Sequence, residues 1–145
     1  MLKLHVVTVG KCKEDFYRRA AEEYLKRLSR FADTDVRELS ERASPREEAA
    51  DVLRACKGYV IVLAVEGKKL SSEGLAQKLR ALADAGKEMT FVIGSSQGLD
   101  ASVKAKADLL LSFSDMTFPH HLMRVMLLEQ IYRAFMINAG SDYHK

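Results

Sequence analysis

Two stretches of this chain carry side chains suited to chemistry rather than to packing. The first is the C-terminal end, where an apolar helical run contains Arg124, Glu129 and Arg133 and is followed by Gly140 and the tail Tyr143-His144-Lys145. Buried helices rarely end in an exposed aromatic, an imidazole and an ammonium group together, so this tail reads as a site rather than a scaffold. The second is Gly94-Ser95-Ser96-Gln97-Gly98, which follows an apolar run and precedes a helical pattern, so that backbone can approach a ligand closely. Its spacing is neither GxGxxG nor GxxxxGK[ST], which removes the dinucleotide and P-loop readings.

Each of these residues also has a plainer reading. Glu129 and Arg133 stand at i,i+4, a favourable helical ion pair that either structures the helix or faces a site. His120 and His121 are adjacent, so on a helix they point about 100° apart and do not jointly chelate a metal. No carboxylate pair completes a metal set, and none is expected. His5 lies within a strand-like run and reads as a packed core histidine, whereas His144 sits in a polar tail that ordinarily reads as a disordered end. Neither Cys12 nor Cys56 has a histidine nearby and no GxSxG elbow occurs, so nucleophilic hydrolysis has no support.

Length and composition bound the scaffold. The chain has 145 residues, 48% hydrophobic and 30% charged, which suits one soluble domain spanning residues 1–145. No apolar run is long enough to span a membrane, and the start lacks the organisation of a signal peptide. Two cysteines without CxxC or Cys/His spacing read as reduced thiols, so a cytoplasmic location is expected. A net charge of +3 does not diagnose nucleic-acid binding. Lys11, Lys13, Arg18, Arg19, Lys26, Arg27 and Arg30 do crowd the first segment, as a solvated helix face or as a phosphate-tracking surface.

The elements that must position these residues alternate. Leu2–Val9, Tyr59–Val65 and Met89–Ile93 read as buried strands, with short strands at Val36–Leu39 and Leu109–Phe113. Helices are expected from Glu14 to Arg30, with Phe16, Ala20, Tyr24, Leu28 and Phe31 at helical spacing, and from Pro45 to about Cys56 behind a Ser44 cap. Three more follow: from Ser71 or Ser72 to Ala85, from about Asp100 to Lys106, and from His120 to Asn138. This order favours an α/β domain with a mostly parallel sheet, whose ligands bind beyond the carboxyl ends of the strands. The loops to watch are therefore Gly10–Asp15, Glu66–Leu70, Gly94–Asp100 and Ser112–Pro119. The last helix is apolar over nearly its whole circumference, which one sheet face cannot cover, so a homodimer is expected.

The stretches TVGKCKE, LAVEGKKLSSEGLA, FVIGSSQGL and LSFSDMTFPHHLMRVMLLEQIYRAF, with the terminal YHK, resemble the ribosomal RNA large subunit methyltransferase H (RlmH, YbeA-like) family of the SPOUT superfamily. The likeness spans essentially the whole chain. It implies a single SPOUT domain with a C-terminal trefoil knot, acting as a homodimer. It further implies that S-adenosylmethionine is used to methylate N3 of a pseudouridine in 23S ribosomal RNA on the assembled ribosome. Carried over by position, the cofactor contacts would be Leu63 at the end of the third strand, Gly94, and the loop Phe113, Ser114, Asp115, Met116, Thr117 and Phe118. The nucleotide would be handled by Arg133, Tyr143 and His144, with Glu129 in support. Two departures stand out: Ser95 replaces a second glycine, and the stretch between Leu39 and Tyr59 is shorter than in the family. A SPOUT enzyme acting on transfer RNA, a ribosome-binding factor without catalysis, and a flavodoxin-like nucleotide binder are the competing readings, and the YHK ending argues against the first.

Overall fold

The computed structural model describes all residues, Met1–Lys145. Three apolar runs build the middle of a sheet because, buried on both faces, they have no polar side to show. These are β1 (Leu2–Val9), β3 (Tyr59–Lys69) and β4 (Met89–Ile93); β2 (Ala32–Leu39) and β5 (Leu109–Ser112) form the edges. The strand order is β2-β1-β4-β3-β5, and every pairing is parallel, for example Leu4 beside Met89 and Ile61 beside Phe91. Parallel neighbours need crossovers, which are supplied by α1 (Asp15–Leu28), α2 (Pro45–Ala55), α3 (Ser72–Asp84) and α4 (Ala101–Ala105). The chain then closes with α5 (His120–Asn138).

Strand alternation divides the core. Leu4, Val6, Ile61 and Phe91 face α1, α3 and α5, whereas Val7, Val9, Val62 and Val92 face α2 and α4. Helix α5 packs between α1 and α3, and Leu127, Leu128, Ile131 and Ala134 are fully buried. No α5 residue from His120 to Asn138 is exposed, although Leu122, Val125 and Met126 keep partial access to solvent. The shorter segment before Tyr59 still forms a complete α2, with Pro45 in its first turn and the Ser44 hydroxyl accepting the Glu47 amide.

Four sequence expectations need correcting. Strand β2 begins at Ala32 rather than Val36, because its polar residues lie on an edge strand where one side of the backbone is free. Strand β3 runs on to Lys69, so Leu63 lies within it and Glu66–Lys69 is strand rather than loop. Leu63 and Lys68 both pair with Leu111, and the intervening residues bulge out. Gly67 permits this: a Cβ there would sit 2.7 Å from the Leu110 carbonyl. Phe16 is 59% exposed, its ring tilted against Tyr17, and the buried face of α1 is carried by Ala21 together with the expected Leu28. His5 is not an apolar-packed histidine; it bridges the carboxylates of Asp35 and Glu88.

This division of the core sets an expectation for stability. Leu127→Ala should lower the unfolding free energy by about 3 kcal/mol. Phe16→Ala should change it by less than about 0.5 kcal/mol. Urea midpoints at unchanged slope would measure both.

Candidate active site

The carboxyl ends of β3, β4 and β5 open into a cleft of about 260 Å³. The β3 bulge supplies Leu63, Ala64, Val65 and Glu66; the loop after β4 supplies Gly94, Ser95, Gly98 and Leu99; the loop after β5 supplies Phe113, Ser114, Met116, Thr117 and Phe118. Of the contacts inferred from the resemblance, all but Asp115 line this cleft. Asp115 points elsewhere and pairs with Lys69 at 2.7 Å, which ties the loop to the end of β3. The loop is further shaped from inside: Ser112 donates to the Ser114 carbonyl at 3.1 Å, and the Ser114 hydroxyl accepts the Met116 amide at 3.0 Å. Glu66 and Lys104 pair at 2.7 Å on the wall of the cleft, and the lysine holds that carboxyl below its ordinary range.

Gly94 is required by close packing. A Cβ there would meet the Gly98 carbonyl carbon and Leu99 Cγ at 2.8 Å each. Ser95 imposes no such conflict: its φ is not positive, its side chain is buried, and its hydroxyl accepts the Gln97 amide at 3.2 Å. The second glycine of the family loop is therefore dispensable for the backbone course here.

A second cleft of about 340 Å³ shares Leu111 and Phe113 with the first and is lined also by Ser71, Ser72, Met126, Glu129 and Gln130. Beyond Glu129 lies the polar cluster. Its carboxylate accepts from Arg133 Nε at 3.2 Å and Nη2 at 2.9 Å, from the Tyr143 hydroxyl at 2.7 Å, and from Gln130 Nε2 at 3.1 Å. The tail, which its sequence alone would leave disordered, is docked. The Tyr143 ring stands edge-on to Tyr132 at 5.0 Å between centroids, and the Arg133 guanidinium lies 4.9 Å from the Tyr143 centroid. His144 Nδ1 is 3.1 Å from Arg133 Nη1, and its Nε2 is 2.9 Å from Glu73 of α3. The structure thus brings Glu129, Arg133, Tyr143 and His144 into one hydrogen-bonded group, with Glu73 as a member that sequence reasoning missed.

The electrostatics follow from partial burial. Removal from water, reinforced by the hydrogen bond to the Glu129 carboxylate, pushes the Tyr143 phenol up to about 12. The Glu129 hydrogen bond also raises the Arg133 guanidinium, fixing its charge. At the other end of α5, the buried Arg124 donates to Glu38 at 2.8 Å and to Thr8 at 3.0 Å. Burial opposes ionisation of Glu38, but the Cys12 amide and Arg124 outweigh it and hold the carboxyl below its usual range. An arginine among the apolar residues at the start of the helix is the visible signal for this anchor; its partners on β1 and β2 are not.

Two outcomes are expected. Of the five tyrosines, one should ionise only near pH 12, and that last step in the ultraviolet titration should vanish in Tyr143→Phe. Glu38→Gln should cost about 2 kcal/mol at neutral pH, less than a fully buried pair because Glu38 retains 32% side-chain exposure. Since the folded Glu38 pKa lies below the ordinary 4.5, the wild-type advantage should be full above that pH and fade as pH falls through the lowered value. Urea midpoints measured across that range would check the sign.

Comparisons with known proteins agree with this geometry. A family model described as predicted SPOUT methyltransferase matches residues 2–144. A protein from Bifidobacterium adolescentis named ribosomal RNA large subunit methyltransferase H is 47% identical, with 99% of this chain and 100% of the relative covered. A protein of the same name from Streptococcus suis is 42% identical with the same coverage. Among solved structures, a probable methylase family protein from Haemophilus influenzae shares the fold with TM-score 0.59 at 11% identity, covering 99% of this chain and 70% of that one. A putative methylase family protein from Neisseria gonorrhoeae gives TM-score 0.57 at 8% identity, covering 89% and 81%. A parallel five-stranded sheet closed by α5, a cleft at its carboxyl edge and a match over the full chain at this identity mean that the chain belongs to the SPOUT methyltransferase family, alongside the ribosomal RNA large subunit methyltransferase H proteins.

Proposed function

We propose that this methyltransferase transfers a methyl group from S-adenosylmethionine to N3 of a pseudouridine in 23S ribosomal RNA, on the assembled ribosome. One observation carries the reading: Glu129, Arg133, Tyr143 and His144 converge beside a cleft that adjoins the Phe113–Phe118 loop. The donor suits the lining of the first cleft. Leu63, Ile93, Leu111 and Met123 offer apolar surface to a flat ring, and Ser114 and Thr117 offer hydroxyls. Leu63, Gly94, Phe113, Ser114, Met116, Thr117 and Phe118 would hold it, with Asp115 keeping the loop tied to Lys69. When bound, S-adenosylmethionine supplies an electrophilic methyl group on a sulfonium centre.

The chain's own residues handle the base. The N3 proton of a uracil ring must leave before N3 becomes a nucleophile, and His144 accepts it. Arg133, its charge fixed by Glu129, stabilises the anion that this leaves on the ring. Tyr143 presents its ring to the unpaired base while its hydroxyl stays committed to Glu129. The partial exposure of Leu122, Val125 and Met126 on α5 supports a homodimer built on that helix. The pairing of β5 with both sides of the β3 bulge, with α5 following, is compatible with the family's trefoil knot. RNA contacts would come from the dimer surface, including Lys11 and Lys13, which line a polar cleft with His120 and His121. A ribosomal substrate would put the work in the cytoplasm.

Methyl transfer from labelled donor to ribosomes lacking the modification tests this reading. Wild-type protein should label ribosomes and leave free 23S RNA unlabelled. Arg133→Ala and His144→Ala should each lose at least about a hundred-fold in rate. Both variants should keep the wild-type affinity for S-adenosylmethionine in calorimetric titration. No detectable binding of the donor by wild-type protein, or full transfer by His144→Ala, would contradict the assignment.

A further inference from the structure

We propose that Glu73, on the first turn of α3, is a positioning residue that fixes the tautomer of His144 and steadies the imidazolium formed when His144 takes the proton; this rests on the function proposed above. The argument starts from which atoms can donate. A guanidinium has only N–H donors, so at the 3.1 Å contact between Arg133 Nη1 and His144 Nδ1 the ring nitrogen must accept. A neutral imidazole with a bare Nδ1 carries its proton on Nε2. That nitrogen lies 2.9 Å from Glu73 Oε1, and an ionised carboxylate only accepts. One tautomer satisfies both neighbours, and the opposite one places a proton against Arg133 and a lone pair against a carboxylate.

The placement of Glu73 is built rather than incidental. The Ser71 hydroxyl caps α3 by accepting the Gly74 amide at 2.9 Å, which fixes the turn that carries Glu73. A carboxylate in that first turn also complements the positive end of the helix dipole. Ser72, next in the same turn, donates to Gln130 of α5 at 2.7 Å, so α3 and α5 are tied where Glu73 reaches the tail.

The consequence is a directed proton transfer. The N3–H bond of the base breaks, its electron pair stays on the ring, and a new N–H bond forms at His144 Nδ1. Arg133 Nη1 must leave that lone pair as the proton arrives, which turns the guanidinium toward the ring that has just become negative. The resulting imidazolium keeps its Nε2–H on Glu73, so the carboxylate favours the protonated state without touching the substrate.

Two measurements test this separately from the function itself. In the free protein, nuclear magnetic resonance of the imidazole nitrogens, with His144 assigned against His144→Gln, should show the proton on Nε2. Glu73→Gln removes the charge and keeps the shape, so the preference for the Nε2–H tautomer should weaken in the same spectrum. The acid limb of the methyl-transfer rate against pH should move in that variant. The plateau should fall about ten-fold because the imidazolium loses its charged partner, while KM for S-adenosylmethionine stays unchanged. A proton found on Nδ1, or an acid limb that does not move in Glu73→Gln, would overturn the proposal. A proton on Nε2 that loses its preference in Glu73→Gln, in a protein that transfers no methyl group, would uphold the Glu73–His144 link and refute the function instead.

Discussion

The carboxylate of Glu129 is the interaction on which the C-terminal end of the molecule depends. Its side chain keeps 17% exposure, so most of its hydration is gone and must be replaced. Arg133 from the same helix, Gln130 beside it and the Tyr143 hydroxyl from the tail together replace it. Because Tyr143 is one of these donors, the last residues of the chain are drawn onto α5, and His144 is carried to Arg133 and Glu73. Removing Tyr143 from this arrangement leaves a buried carboxylate short of a donor and a tail without its polar anchor. The aromatic packing of Tyr143 on Tyr132 supplies the apolar half of the same attachment.

Helix α5 gives that cluster a fixed platform. Its inner residues are fully buried between α1 and α3, and at its other end Arg124 is tied to Thr8 and Glu38 across two strands. One rigid element therefore borders the first cleft through His120 and Met123 and presents Glu129 and Arg133 further along. The two halves of the proposed reaction are held at a set spacing without a separate binding domain. The clefts meet at Leu111 and Phe113, the junction between the edge strand and the loop that leads into the helix.

Much of the scaffold was legible in the sequence because it obeys local rules. Strands β1 and β4 are near-continuous apolar runs, α2 announces itself with Ser44-Pro45, and Gly140 follows the end of α5. Strand β2 was truncated because Ala32-Asp33-Thr34-Asp35 has the polarity of a loop, and only pairing along β1 makes it a strand. The end of β3 was missed for a similar reason: Glu66-Gly67-Lys68-Lys69 reads as a turn until β5 supplies a partner. In the site, the cleft residues and the roles of Glu129 and Arg133 follow from the family resemblance; helical spacing shows only that these two can pair. The docking of the tail and its contact with Glu73 depend on side chains far apart in sequence, as with Glu73 and His144, 71 positions from one another. No local pattern carries that information.

The account stands on the tail being docked before any ligand arrives. Nuclear Overhauser contacts between the Tyr143 and Tyr132 rings in the free protein test this most directly. A docked tail predicts strong contacts between the two rings, whose centroids are 5.0 Å apart, together with chemical shifts for Tyr143 and His144 far from those of an unfolded chain. Absent contacts and random-coil shifts from Ser141 onward would contradict it.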